Sequence, residues 1–309
     1  MARLGEFLGK QGRFLLENDN QALIYCAILA LIPFAGWLSA AVVALVTLRK
    51  GLIDGFKCLV AAFLVLLALS LMTMSFTAAF ISAALAFLPC YLTAAVLHST
   101  ASWKVTVASI VFQALLLIVL IHWLAPEFIT NQFQYIQTIL KGFEREFSDN
   151  PALALASNQT KQQQTAIANY LLGVQATSIV ISALASLMLA RSVQSRIFYP
   201  GGFRQEMLGF QASSLGIVLL GIAVFGAYNH SLLAISCLPI LVTYYVFAGL
   251  GLTFSLTKTR GPGTFVLLFV PLIILPFVML PIYVILGALD SLFNFRSYLS
   301  KTDGKQNKG

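Results

Sequence analysis

The sequence predicts an all-α membrane protein, a polytopic bundle of about eight transmembrane helices. Hydrophobic residues make up 59% of the 309 positions and charged residues only 10%, and the mean hydropathy is +0.88. Soluble domains carry charge on roughly a quarter of their residues, so this composition is typical of an integral membrane protein. The apolar residues also cluster into runs of about 20, the length that lets an α-helix cross a hydrocarbon core of about 30 Å.

Apolar runs of spanning length begin after residue 21. They cover residues 22–48, 52–72, 76–97, 105–124, 166–189, 210–228, 232–256 and 265–289. The first run contains Pro33 and Gly36, which predicts a kinked or broken helix. The last run contains Pro271, Pro276 and Pro281, so we expect it to be strongly bent or partly re-entrant rather than one straight helix.

The polar segments predict three parts along the chain. Residues 1–21 alternate apolar and charged residues at helical spacing, which predicts a helix lying on the membrane surface or, alternatively, a solvated tail. Residues 22–298 form one transmembrane bundle, and residues 299–309 form a polar C-terminal tail. The one long polar connection within the bundle, residues 126–165, repeats apolar residues from Ile129 to Phe147, which predicts an external amphipathic helix between spans four and five.

The distribution of Lys and Arg predicts the orientation of the bundle. The net charge is +8, but the basic residues stand singly or in pairs at the ends of apolar runs, which is typical of topology signals and not of a nucleic-acid-binding surface. Nine of them fall on one set of connections and three on the opposite set. The connection 190–206 is therefore predicted to be cytoplasmic and the loop 126–165 external. Eight crossings would leave both basic termini outside, so the first and last runs are where the number of crossings stays open.

Polar side chains inside the apolar runs are the candidates for ligand binding. Gln113, Asn169 and Gln175 are predicted to line a polar pocket beneath the external helix. The alternative is that each makes an interhelical hydrogen bond worth about 1 kcal/mol. No charged residue lies at the middle of a predicted span, which argues against an ion-coupled pump with a buried carboxylate.

The sequence carries no recognisable signal for catalysis. It contains no HExxH, GxSxG, P-loop or paired-carboxylate pattern, so we expect no catalytic residues and no enzyme activity. The four cysteines have no metal-ligand spacing and lie in or beside apolar runs, which predicts reduced packing residues. We therefore expect neither a bound metal nor a cofactor.

The stretch 190–206, ARSVQSRIFYPGGFRQE, combines charge with a turn between two apolar runs. Its Pro-Gly-Gly sequence predicts a tight turn, because proline fixes φ and glycine accepts positive φ. Its arginines are predicted to mark the cytoplasmic face, and they can also cap the preceding helix, pair with Glu206 or bind lipid phosphates. The residues predicted to contact a protein partner or lipid are Arg191, Arg196, Gly201, Gly202, Arg204, Asp290 and Arg296.

Three segments resemble one known family. They are ANYLLGVQATSIVISALASLMLARSVQSRIFYPGGFRQE at 168–206, WLSAAVVALVTLRKG at 37–51 and LGALDSLFNFR at 286–296. Together they resemble the YybS-like family of bacterial multi-pass membrane proteins, in its gammaproteobacterial form, although Tyr199 replaces the Asn that often precedes the proline in that family. The resemblance implies a multi-pass protein of the bacterial inner (cytoplasmic) membrane and no established activity. The layout is also similar to the substrate-binding subunits of energy-coupling uptake systems, which bind a micronutrient and dock on a separate ATPase.

Two functions are compatible with these features. The first is a membrane-embedded component that binds or transports a small molecule. The second is a scaffold or assembly protein that holds a partner through the arginine-rich loop. The expected partners are the lipid bilayer and a membrane or cytoplasmic protein, and no nucleic acid is expected.

Overall fold

The chain is described from a computed structural model. The described residues are 2–129, 131, 134, 138, 161–256, 263–293 and 295. This part of the chain is helical and contains no strand. The predicted amphipathic helix in the loop 126–165 and the predicted contact residue Arg296 fall largely or wholly outside the described residues.

The apolar runs form helices, and proline, glycine and polar residues separate them. The helices are α1 (Ala2–Glu17), α2 (Asp19–Leu31), α3 (Gly36–Lys50), α4 (Leu52–Ser70), α5 (Phe76–Thr100), α6 (Trp103–Leu124), α7 (Lys161–Phe198), α8 (Gly202–Leu208), α9 (Leu215–Tyr228), α10 (Leu232–Leu256), α11 (Gly263–Ile274) and α12 (Pro276–Phe293).

Six helices of the described chain are long and apolar enough to cross a membrane, namely α4, α5, α6, α7, α10 and α12. Two shorter apolar helices, α2 and α9, accompany them. The prediction of an all-α protein with several membrane-crossing helices is therefore confirmed.

The chain divides into two compact units. Unit 1 consists of Met1–Ile110, Ile179–Ser213 and Tyr245–Gly309, and unit 2 consists of Val111–Ser178 and Ser214–Tyr244. Unit 1 contains α1 to α5, α8, α11 and α12 entirely, and unit 2 contains α9 entirely. Each unit has its own buried residues.

The first apolar run is broken, as its Pro33 and Gly36 predicted. In unit 1, α2 ends at Leu31 and α3 begins at Gly36. Between them Phe34 takes a positive φ of 64°, a conformation that is uncommon for a bulky residue. The helices have 13 and 15 residues, so at 1.5 Å per residue each is about 20 Å long and shorter than a hydrocarbon core. They pack against each other as a helical hairpin, not as one spanning helix.

Helix α3 forms the centre of unit 1. Every residue from Ser39 to Leu48 is buried, and α2, α4 and α5 pack around it. Its small and β-branched side chains allow these neighbours to approach on all sides. The helix ends at Arg49 and Lys50, which complement the negative end of the helix dipole, and Gly51 follows with a φ of 102° that favours glycine.

The hairpin brings the N-terminal helix to the arginine-rich end of unit 1. Gly12 of α1 packs against Val193 and Ile197, close to the end of α7. At the other end of the hairpin sequence, Arg49 stacks over the ring of Phe198, 4.0 Å from its centroid. The chain before α2 and the end of α3 therefore lie at the same end of unit 1. We call this the basic end, defined by Arg49, Arg196 and Arg204. An N-terminus on the opposite side from these arginines, which eight straight crossings would require, does not fit this arrangement.

The last apolar run is not one continuous helix, as its three prolines predicted. Helix α11 ends at Ile274 and α12 begins at Pro276. Hydrogen bonds from Leu275 N to the Pro271 oxygen and from Met279 N to the Leu275 oxygen carry the chain across the break. Pro276 has no N–H to continue the series of helical hydrogen bonds, which accounts for the interruption.

Two glycines let α12 approach α10 closely within unit 1. A Cβ at Gly249 would collide with the backbone oxygen of Tyr283, and a Cβ at Gly287 would collide with the backbone oxygen of Tyr245. No other residue type can occupy these positions without moving one backbone away from the other.

Candidate functional site

The arginine-rich stretch folds back on itself at the basic end of unit 1. Helix α7 ends at Phe198, and Gly201 turns the chain with a φ of 90° before α8 starts. Ser195 Oγ lies 2.9 Å from the Tyr199 oxygen and accepts a hydrogen bond of 3.0 Å from the Phe203 N–H. This serine ties both sides of the predicted turn together, so α8 returns alongside the last turns of α7.

The fold-back joins Arg191 to Glu206. Arg191 Nε donates to Glu206 Oε2 at 3.0 Å, and Nη2 donates to Oε1 at 2.5 Å. Trp103, at the start of α6, donates its indole N–H to the same Oε2 at 2.8 Å. The ion pair is only partly exposed, with 26% and 30% of the two side chains accessible. A two-point guanidinium–carboxylate contact of this kind is geometrically specific, and it confirms the sequence-based alternative that an arginine pairs with Glu206.

The environment of Glu206 changes its acidity. Partial burial raises the pKa of the Glu206 carboxyl, but the hydrogen bonds from Arg191 and Trp103 and the arginine charge together outweigh burial and leave the pKa below its ordinary value. Glu206 is therefore stabilised as a carboxylate, and Arg191 balances its negative charge within the protein.

A second set of contacts covers the end of α3. Gln194 accepts a hydrogen bond of 2.7 Å from Arg191 Nη1, and its own amide nitrogen lies 3.4 Å from the Leu48 oxygen. His98 Nδ1 lies 3.3 Å from the same oxygen. These side chains satisfy a carbonyl at a helix end that would otherwise lack a partner.

The other predicted contact residues of this region differ in accessibility. Arg196, Arg204 and Gly201 are exposed, and Gly202 is half-buried. Asp290 is fully buried, with 0% of the residue accessible, so its side chain offers no surface to a docking partner. Asp290 lies within α12, which continues to Phe293.

Asn169, one of the three residues predicted to line a polar pocket, lies in a hydrogen-bond network in unit 2. Asn169 is buried, and its Oδ1 lies 2.8 Å from His122 Nε2. Ser236 Oγ donates towards the Asn169 backbone oxygen at 3.0 Å, and Asn169 Nδ2 donates to the Thr165 oxygen at 2.7 Å. His122 Nδ1 lies 2.9 Å from the Ile118 oxygen. Asn169 thus makes the interhelical hydrogen bonds that were the alternative interpretation.

Gln113 and Gln175 lie elsewhere in unit 2. Gln113 is half-buried on α6, nine residues before His122, and Gln175 is exposed on α7, six residues after Asn169. Sequence reasoning missed Ser236, because a single serine in an apolar helix carries no distinguishing signal. Gly173 beside it explains the contact, since a Cβ there would collide with the Ser236 backbone oxygen.

An open cavity lies at the break between α2 and α3 in unit 1. Its volume is about 380 Å³. The lining comes from the hairpin turn, from α4 and from α7, and includes Ile32, Pro33, Phe34, Gly36, Trp37, Leu66, Leu69 and Ser182. Ser186 fixes one edge, because its Oγ lies 2.8 Å from the Trp37 oxygen. Apart from Ser182 and Trp37, the residues of the lining carry no polar group in their side chains.

The described residues contain no group of three or more His, Cys, Asp or Glu side chains placed to hold a metal ion. Cys26, Cys58, Cys90 and Cys237 are not joined in disulfides, and the first three are buried.

Comparisons with known proteins identify the family. No curated protein and no solved structure matches the chain. A family model with the description "Predicted membrane protein (DUF2232)" matches residues 22–291, which include every apolar run of the sequence. The chain therefore belongs to the DUF2232 family of predicted membrane proteins.

Proposed function

We propose that this protein is a membrane-embedded component that binds or transports a small molecule, with its binding site in the cavity at the α2–α3 break. The cavity is the observation that carries the proposal. Its volume of about 380 Å³ falls in the range of about 300–1,000 Å³ typical of small-molecule sites. The proposal includes no catalytic step.

The construction of the cavity supports this assignment. Broken membrane helices recur at the binding sites of transporters, because irregular backbone at membrane depth is tolerated only where it is buried or lines a cavity. Here the irregular residues 32–35 interrupt an apolar run, and Phe34 is 98% accessible beside the cavity. The lining fits a small, largely apolar molecule whose polar group meets Ser182 or Trp37.

The proposal also includes the membrane in which the protein lies, its orientation and a role in uptake. We place the protein in the cytoplasmic membrane of a bacterium, with the basic end in the cytoplasm, because of the positive-inside distribution and the resemblance to the YybS-like family. An uptake role resembling that of energy-coupling substrate-binding subunits follows from analogy of layout alone.

A thermal-shift screen with a panel of vitamins and related micronutrients tests the proposal. A ligand present at about 100 times its Kd stabilises the protein by about 2.7 kcal/mol. Gly36→Phe is the informative variant, because no atom lies within 4 Å of a Cβ at Gly36, and the added ring would enter the cavity without a backbone clash. We expect the variant to fold and to lose the ligand-induced shift.

The matched control is Gly221→Phe on α9. A Cβ at Gly221 also has no atom within 4 Å, so the two variants add the same ring at helical glycines in open space. Gly221→Phe should keep the shift. If Gly36→Phe binds the ligand as the wild type does, while Gln113→Leu does not, the site lies in unit 2 and the cavity proposal is wrong.

The second candidate is the scaffold function, and the exposure of Arg196 and Arg204 favours it. Arg191 is already paired with Glu206, so these two exposed cations are the part of the loop that can meet a partner. Charge reversal at Arg196 or Arg204 should then remove a co-purifying protein, while charge reversal at the exposed Lys104 should not. Equal recovery of that protein with all three variants would refute docking through this loop.

A further inference from the structure

Three helices of spanning length begin or end at the basic end of unit 1. Helix α4 begins at Leu52, directly after Gly51, and α6 begins at Trp103. Helix α7 ends at Phe198, whose ring stacks under Arg49. Because these helices are long and apolar enough to cross a membrane, their shared end marks the level where the hydrocarbon core gives way to the lipid headgroups.

The N-terminal helix α1 lies beside the end of α7 and presents charged residues to the outside. Gly12 packs against Val193 and Ile197 of α7. Lys10 and Arg13 lie on other faces of α1 and are exposed. Helix α1 is not among the apolar helices of the described chain. A helix with one face on the protein and basic residues on the outer face fits a position along the membrane surface.

The surface charge of this region is strongly positive. Within the stretches 9–17, 49–50 and 191–206, the exposed basic residues are Lys10, Arg13, Arg49, Arg196 and Arg204, and the exposed acidic residue is Glu17. The other carboxylate of these stretches, Glu206, is paired with Arg191. Clusters of four or more Lys and Arg residues beside a membrane helix or on an amphipathic helix attract anionic lipids.

Exposed aromatic rings accompany these cations. Tyr199, which lies between Arg196 and Arg204 in the chain, is 77% accessible. Tyr25 of α2 and Phe14 of α1 are also exposed, and their ring centroids lie 6.2 Å apart in an edge-to-face contact. Tyrosine is enriched at the headgroup level of membranes, because its ring is apolar and its hydroxyl is polar. The combination of cations and tyrosines favours a phospholipid over a soluble protein at this surface.

We propose that the basic end binds the headgroup phosphate of an anionic phospholipid, through Arg196 and Arg204 of the α7–α8 region and Lys10 and Arg13 of α1. Arginine donates charge-assisted hydrogen bonds to phosphate oxygens in a geometry that lysine cannot match, and lysine adds a point charge. Arg191 takes no part, because Glu206 holds it. None of these residues lines the cavity at the α2–α3 break, so the lipid site can be tested whether or not the cavity binds a ligand.

Native mass spectrometry of the full chain in detergent tests the proposal. Phosphatidylglycerol and phosphatidylcholine with identical acyl chains are titrated separately, so that only the headgroup differs. We expect the wild type to bind phosphatidylglycerol more tightly. Arg196→Gln and Arg204→Gln should each weaken that binding about fivefold, which is the contribution of one basic residue near an anionic membrane surface. The double variant Lys10→Gln/Arg13→Gln should weaken it by at least as much.

The matched control is Lys57→Gln. Lys57 lies in the first two turns of α4 and is exposed, but its ammonium group is paired with Asp54 at 2.9 Å. This variant removes the same charge and should bind phosphatidylglycerol within about twofold of the wild type. All the substituted side chains are exposed, so the variants should fold as the wild type does, which thermal unfolding verifies.

Three results would overturn the proposal. Equal affinity of the wild type for the two lipids would show that the surface does not recognise anionic headgroups; if the arginine variants then lost a co-purifying protein, the surface would be a protein-docking site. Equal phosphatidylglycerol affinity in Arg196→Gln, Arg204→Gln and Lys57→Gln would exclude the loop arginines. Unchanged binding in Lys10→Gln/Arg13→Gln would exclude α1 from the site.

Salt provides a second, independent test. Phosphatidylglycerol should raise the Tm of the detergent-solubilised wild type at about 0.05 M NaCl, and the rise should shrink at about 0.5 M NaCl, because salt screens exposed charges. Phosphatidylcholine should give no salt-dependent rise. A rise with phosphatidylglycerol that is the same at both salt concentrations would show that the acyl chains and not the headgroup stabilise the protein, and would refute the assignment.

Discussion

Arg191 holds Glu206 through two nitrogens of its guanidinium group, although 15 residues and a Pro-Gly-Gly turn separate them. Trp103 donates to the same carboxylate from the start of α6. These contacts therefore link α6, α7 and α8 within unit 1 and hold the loop between α7 and α8 in place. Arg191 is a stabilising residue in this arrangement, and the other two arginines of the stretch 190–206, Arg196 and Arg204, are exposed to other contacts.

Substitution of Arg191 should lower the unfolding free energy, and the loss should be larger when more of the contact with Glu206 is removed. Arg191→Ala should cost about 1–2 kcal/mol of unfolding free energy, because it leaves a half-buried carboxylate without its cation and the pair is partly screened by solvent. Arg191→Lys should lose about half of that, since lysine cannot make the two-point contact. Chemical unfolding in mild detergent measures both values. The exposed Arg204→Ala is the control and should stay within about 0.5 kcal/mol of wild type; an equal loss there would rule out a special role for Arg191.

The stabilisation from Glu206 should depend on pH in one direction. Because the folded protein lowers the pKa of Glu206 below its ordinary value of 4.5, the contribution is fully present above about pH 4.5 and is lost as the pH falls through the folded pKa. The stability difference between wild type and Glu206→Gln should thus be constant from about pH 7 to about pH 5 and shrink below that. Unfolding midpoints across this range measure it, with the exposed Glu17→Gln as the comparison. A stability difference that grows towards low pH would contradict the hydrogen bonding of the Glu206 carboxylate by Arg191 and Trp103.

Close packing of α10 and α12 predicts a strong effect of a single methyl group. Gly249→Ala and Gly287→Ala should each cost about 2–3 kcal/mol, because the new Cβ would overlap a backbone oxygen that can move only with its helix. Gly221→Ala meets open space and should be neutral or slightly stabilising, since alanine favours a helix over glycine. Thermal unfolding of the three variants compares them. Equal stability of all three would mean that the two helices are not in close contact.

The network in unit 2 predicts coupling between His122 and Asn169. Asn169→Ala and His122→Ala should each destabilise by about 1 kcal/mol, and the double variant should cost less than the sum, because the singles remove the same hydrogen bond. Val174→Ala, at an accessible position of the same helix, provides a control for loss of apolar side chain. Strict additivity of the two single variants would show that the side chains do not interact.

Local sequence signals predicted the elements well. Pro33 and Gly36 predicted the break between α2 and α3, and Pro276 marks the start of α12 after the end of α11. These features are predictable because proline removes a hydrogen-bond donor and glycine loosens the helix wherever they occur, independently of the rest of the fold. The pairing of Arg191 with Glu206 was among the alternatives, but its two-point geometry and the contribution of Trp103 were not.

The arrangement of the candidate polar residues could not be predicted from the sequence, for a physical reason. The sequence indicates that Asn169 is a polar residue within an apolar run, but it does not show whether Asn169 faces a cavity or faces His122 and Ser236. The cavity at the α2–α3 break is lined by common apolar residues from three separate segments, and no residue type among them marks a binding site.

By itself, the sequence determined that this protein is a helical membrane protein and where its helices break, because hydropathy and the backbone limits of proline and glycine act locally. Only the tertiary structure decided that the first two apolar helices return to the basic end, that Glu206 has its partners within the chain, and that Asp290 is buried. Each of these depends on which helix faces meet. That choice is made by long-range contacts such as those at Gly12, Gly249 and Gly287, where the absence of a side chain permits an approach that no local pattern specifies.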